Sequence, residues 1–106
     1  MADIPPDLVA YHRSQKALVC ELNTRPWLCE FWSLDEVLTY NIEYQVPEFA
    51  PGYFGFATSG GGEMFALSPQ GFVVCLAFIG MSPDEELPVA KSWREFENML
   101  RNATAN

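Results

Sequence analysis

The stretch Tyr53–Leu67, "YFGFATSGGGEMFAL", decides how the rest of the chain is read. Two aromatic-rich runs flank Gly60, Gly61 and Gly62. Three glycines in a row can cradle a phosphate, link two bodies or close a hairpin. A Walker-type loop needs a lysine and a hydroxyl residue directly after the glycines, and then a helix. Here Glu63 follows, a carboxylate that repels phosphate, and a β-prone run follows Glu63. The dinucleotide fingerprint needs a glycine spacing and a helix that are absent. A linker does not fit, because apolar runs abut the glycines on both sides. What is left is a hairpin loop. Glycine serves there where φ is positive or another backbone comes close. Positive φ is expected at Gly61 or Gly62.

Working outward, Tyr53–Ala57, Met64–Leu67 and Phe72–Ile79 read as strands. "SPQG" joins the last two as a tight turn, with proline second and glycine fourth. Upstream, "ALVCEL" and "WLCEFW" are short apolar runs around the turn-forming "NTRP", a second hairpin over Ala17–Leu22 and Trp27–Trp32. "IPPDLVAYHRSQ" starts a helix behind its prolines. Three Ser-x-x-Glu boxes mark further helix starts. Ser33 and Glu36 open a helix that ends near Asn41, and "IEYQVPEFAPG" follows as a proline-broken connector. Ser82 and Glu85, with Pro83 between them, open a single turn. Ser92 and Glu95 open the last helix, whose Trp93, Phe96, Met99 and Leu100 form one apolar stripe ending near Asn102.

At 106 residues there is room for one domain, taken as 1–106. Hydrophobic residues make up 49% of the chain, enough for a packed core. No apolar run reaches the roughly 18 residues of a membrane span, so no membrane partner is expected. The N-terminal "MADIPPDLV" lacks a basic segment before an apolar one, which makes the cytoplasm the expected compartment. Cys20, Cys29 and Cys75 are widely spaced among apolar residues, and there is one histidine, His12. That excludes an ordinary zinc site and predicts three reduced, buried thiols. No metal or cofactor is expected. A His12–cysteine couple would need hydrogen-bond reach. His12 sits on a predicted helix and the cysteines on predicted strands, and no Gly-x-Ser-x-Gly elbow occurs. The chain therefore reads as a non-enzyme.

Charge is the more informative feature. The net charge is −8. No lysine or arginine occurs between Arg25 and Lys91, while Glu30, Asp35, Glu36, Glu43, Glu48, Glu63, Asp84, Glu85 and Glu86 do. Such a surface repels nucleic acid. It either serves solubility or meets a basic partner. Asp35 and Glu36, Asp84, Glu85 and Glu86, and less strongly Glu63, are the candidate partner-binding carboxylates. Tyr44, Phe49, Tyr53 and Phe54 cluster around the connector. Most should be core, with one or two exposed as anchors.

"VPEFAPGYFGFATSGGGEMFAL" and "FIGMSPDEELPVAKSWREFENML" together resemble the SUKH superfamily, the Smi/Knr type of cell-wall-assembly regulator and bacterial toxin-immunity protein. The matching features are Pro51-Gly52, Gly61-Gly62-Glu63, the strand Met64–Leu67, and Ser92-Trp93 with Phe96. "PWLCEFWSLDEV" resembles the family's strand into a helix start, and "IPPDLVAYH" its first helix. Ala57 stands where a glycine is common, Ser59 where an aspartate is common, and Trp93 where a phenylalanine is usual. The resemblance implies a compact α+β domain, a mostly antiparallel curved sheet of about five strands with helices packed outside it. It implies no catalytic residues. It implies a protein partner: a cognate, basic toxin for an immunity protein, or an endogenous protein for a small regulator.

Overall fold

In a computed structural model, which describes residues 3–103, one antiparallel sheet organises the chain. Helix α1 (Pro6–Arg13) precedes the hairpin β1 (Val19–Glu21) and β2 (Leu28–Phe31). Helices α2 (Val37–Glu43) and α3 (Val46–Phe49) lead into β3 (Phe54–Thr58), β4 (Glu63–Leu67) and β5 (Val73–Ala77). A 3-10 turn over Pro83–Glu85, strand β6 (Leu87–Ala90), helix α4 (Trp93–Met99) and strand β7 (Arg101–Asn102) complete it. The sheet order is β6-β5-β4-β3-β2-β1-β7. The α+β expectation holds, with seven strands rather than about five. The two unforeseen strands, β6 and β7, are the edges. β6 includes Pro88 and β7 has only two residues, so both depend on pairing with a neighbour.

The glycine stretch is a hairpin. Ser59 N–H donates to the Glu63 carbonyl at 2.9 Å and closes the loop. Gly60 has φ +79° and Gly62 φ +97°, so the expectation of a left-handed glycine is met at Gly62. The Thr58 hydroxyl accepts from Gly60 N–H at 3.0 Å, and the Ser59 hydroxyl accepts from Gly61 N–H at 3.1 Å. Ser59 thus satisfies a loop amide, the task an aspartate performs in an Asx turn. The Ser68–Gly71 turn also forms, with Gly71 N–H donating to the Ser68 carbonyl at 2.9 Å.

Strand alternation sorts the rings onto two faces. On one, Tyr11 of α1 stacks on Phe31 at 4.4 Å, and Phe31, Phe56, Phe65, Trp93 and Phe96 continue the cluster. The register shifts between Gly55 and Ala57, a bulge that turns both Phe56 and Ala57 toward Phe65. On the other face lie Met64, Leu76 and Trp32, under α2. There the buried Asn41 side chain donates to the Gly55 carbonyl and accepts from Gly55 N–H, both at 2.8 Å. It replaces a missing ladder partner at the bulge. Gly55 leaves room for Met64: a Cβ there would lie 2.3 Å from Met64 Sδ and would force the thioether to move.

The three Ser-x-x-Glu boxes fare differently. At Ser92 the hydroxyl accepts from Glu95 N–H at 3.1 Å, and the Glu95 carboxylate accepts from Lys91 N–H rather than from the cap's own amide. At Ser82 the hydroxyl accepts from Asp84 N–H at 3.3 Å and supports one 3-10 turn. Ser33 does not cap a helix. Its hydroxyl donates to Glu36 Oε1, its carbonyl accepts from Glu36 N–H as a turn, and α2 begins only at Val37. The hydroxyl is turned toward the carboxylate and accepts from no helix amide. The connector is not irregular throughout either: α2 runs to Glu43, and α3 forms with Pro47 in its first turn, where a missing N–H costs nothing. The last helix stops at Met99 because Arg101 joins the sheet.

Candidate protein-binding face

Cys20, Cys29 and Cys75 are free and buried, as the sequence predicts. Burial raises the pKa of each, and Cys75 is pushed up to about 12. A nucleophilic cysteine needs the opposite shift. Tyr11 donates to the Ala17 carbonyl, and its oxygen lies 3.6 Å from Cys20 Sγ. His12 packs edge-on against Phe31 at 6.0 Å, and desolvation lowers its pKa. Its Nε2 is enclosed without a hydrogen-bond partner. Among the described residues, no three His, Cys, Asp or Glu side chains converge as a metal site would require. No helix among them is long and apolar enough to cross a membrane.

The candidate carboxylates distribute over several places. Asp35 and Glu36 are exposed in the turn before α2. Asp84 and Glu85 are exposed on the 3-10 turn, and the half-buried Glu86 accepts from the Tyr53 hydroxyl. Glu63 shares the Phe65 face at the end of β4, where its charge contributes to the raised Cys75 thiol. Glu63 and Glu36 therefore serve different sides of the sheet. Among the described residues the single ion pair joins Lys16 and Glu97, so none of these carboxylates is neutralised by the chain's own cations.

Of the six, Glu36 stands beside a cluster of four aromatic rings on the α2 side of the sheet. Trp32, buried, forms a floor. Tyr40 lies 4.9 Å from it, Tyr44 is parallel to it at 6.0 Å, and Phe78 packs on Tyr44 at 4.4 Å. Tyr44 is 40% exposed and Ile79, next to Phe78, is 93% exposed. On α2, Tyr40 and Tyr44 are i,i+4 neighbours, and Glu36 and Glu43 flank Tyr40 at i−4 and i+3. The Tyr40 hydroxyl donates to Glu36 Oε2 at 3.3 Å. The Glu36 charge raises the Tyr40 pKa, and Glu43 adds to it. Glu30 points to the same sheet face as Trp32 by alternation along β2. The result is an open aromatic surface edged by carboxylates.

Of Tyr44, Phe49, Tyr53 and Phe54, among which the sequence leads one to expect one or two exposed rings without saying which, Tyr44 and Phe49 are exposed and Tyr53 and Phe54 half-buried. Sequence reasoning missed that Trp32 and Phe78 join Tyr40 and Tyr44, because that meeting is made by the sheet. The i,i+4 tyrosines with acids on the same helical face were the signal available.

No curated protein matches the sequence. The SMI1 / KNR4 family (SUKH-1) model matches residues 2–99, nearly the whole of the domain just described. The chain belongs to the SMI1 / KNR4 family, SUKH-1.

Proposed function

We propose that this protein is a bacterial immunity protein that binds a cognate toxin and silences it by occupying a basic surface. The observation that carries the reading is the open Tyr40–Tyr44–Phe78 surface, bordered by carboxylates that no cation of the described chain neutralises. Exposed aromatics at the centre of a patch are the usual anchors of protein interfaces. Surrounding carboxylates steer a cationic partner and speed its association. Family membership supports a protein partner over a small-molecule substrate. Asp35, Glu36, Asp84, Glu85 and Glu86, with Glu63 in a lesser role, supply the attracting field in this reading.

The test uses the product of the gene adjacent to this one. Co-expression should relieve its toxicity, and the purified pair should associate faster at low salt than at high salt. Reversal of the exposed Asp84 and Glu85 to lysine should slow association and flatten its salt dependence, with stability almost unchanged; Glu86 is left in place because it holds the Tyr53 hydroxyl. Association with an endogenous protein instead, with no protection from the neighbour, would assign the chain to the regulator class.

A further inference from the structure

Resting on the protein-partner reading above, we infer that the Tyr40–Tyr44 surface is a seat for an arginine side chain carried on an exposed loop of the partner. Three observations choose this occupant. The surface combines ring faces with two carboxylates on one helical side, Glu36 and Glu43, placed around Tyr40. A guanidinium is planar, stacks on rings and donates to carboxylates through a fixed fork. Lysine offers a strongly hydrated point charge and gains less from the rings. The floor is apolar, with Trp32 buried and Phe78 packed against Tyr44, so a weakly hydrated cation is favoured over a strongly hydrated one. Ile79, almost fully exposed beside Phe78, supplies an apolar rim for the stem of that arginine or for a neighbouring apolar residue.

Other occupants fit less well. A second copy of this chain would bring the same carboxylates against themselves, at a net charge of −8 per copy. Nucleic acid is repelled by the same charge.

The experiment is an amide chemical-shift titration of the intact protein with two capped peptides, Gly-Ile-Arg-Gly and Gly-Ile-Lys-Gly, at low salt. The expected result is shifts concentrated at residues 36–44 and 78–79, with the arginine peptide bound about threefold tighter or more. The double variant Glu36→Gln/Glu43→Gln should weaken the arginine peptide about tenfold. Tyr44→Leu, which keeps apolar bulk and removes the ring, should erase the preference for arginine over lysine. Asp3→Asn/Asp7→Asn removes the same charge from the α1 side and should change affinity less than about twofold. The inference is overturned by an absence of shifts at millimolar peptide, by shifts centred elsewhere, by equal binding of the two peptides, or by equal weakening in the Asp3/Asp7 variant. The adjacent gene's product separates this from the broader reading. If it binds the Glu36→Gln/Glu43→Gln variant as tightly as the parent, the arginine seat is wrong and the partner reading stands. If it does not bind at all while the peptides behave as expected, the seat stands and the toxin reading falls.

Discussion

The two ring clusters of this domain use the same residue types for opposite ends. Tyr11, Phe31, Phe56, Phe65, Trp93 and Phe96 are closed in by α1 and α4, and all six are buried. Trp32, Tyr40, Tyr44 and Phe78 are covered by α2 on one side only, and Tyr44 and the adjacent Ile79 reach water. The closed cluster gains from dispersion and from removal of apolar area from water. The open cluster leaves part of that gain unrealised. Carboxylates border the open cluster at Glu36 and Glu43. The difference teaches that the count of aromatic residues does not locate a core; the number of elements closing over them does.

The largest effect that would break this contrast is in the closed cluster. Phe65→Ala should cost about 3–5 kcal/mol, read as a shift in the denaturant midpoint, because the ring is fully buried between Phe56 and Phe96. A cost near 1 kcal/mol would mean the closed face is not the core.

Alkali probes the same face. The Cys75 thiol ionises at 9.0 unperturbed and at about 12 in the fold. Between these values the unfolded chain has lost a proton that the native state keeps. Stability is therefore intact below the lower value and falls as pH rises toward the upper one. Native thiol labelling should stay slow through that window until unfolding begins. Fast labelling of Cys75 at pH 9 with the fold intact would show that the face is open.

A smaller change sharpens how α2 is fixed. Asn41→Ala removes both side-chain bonds to Gly55 and leaves buried backbone groups without partners. It should cost about 1–3 kcal/mol in thermal or denaturant unfolding. A neutral outcome would show water replacing the amide.

The smallest expected stability effect lies on the open face. Glu36→Gln should shift stability by no more than about 1 kcal/mol, since exposed charges contribute little. If it costs as much as Phe65→Ala, the open face is structural.

Much of this was legible because local chemistry and global fold agree at the relevant residues. Three glycines followed by Glu63 and an apolar run admit little besides a hairpin, and Ser92-x-x-Glu95 before an apolar stripe gave the last helix. Ser33-x-x-Glu36 has the same residues and a different outcome, because its serine and glutamate bond each other instead of the backbone. Spacing alone does not distinguish the two. β6 and β7 were illegible for a related reason: a four-residue strand with a proline, and a two-residue strand, carry too little periodicity. Their conformation is set by β5 and β1. For the candidate face, the acids were visible as a base-free run, but their partition between the two sides of the sheet follows from the register of β3 and β4.

The Asn41–Gly55 clasp has a further consequence. It joins the middle of α2 to β3, the central strand of the sheet. A load applied to Tyr40 or Tyr44 passes through one side-chain amide into the most deeply paired part of the molecule. The clasp braces the face as a plate, and under the partner reading proposed above such ordering before contact lowers the entropy lost on docking. The Gly55 amide proton sits in that clasp, so its exchange with solvent deuterium would report, from the centre of the sheet, whether the plate is occupied.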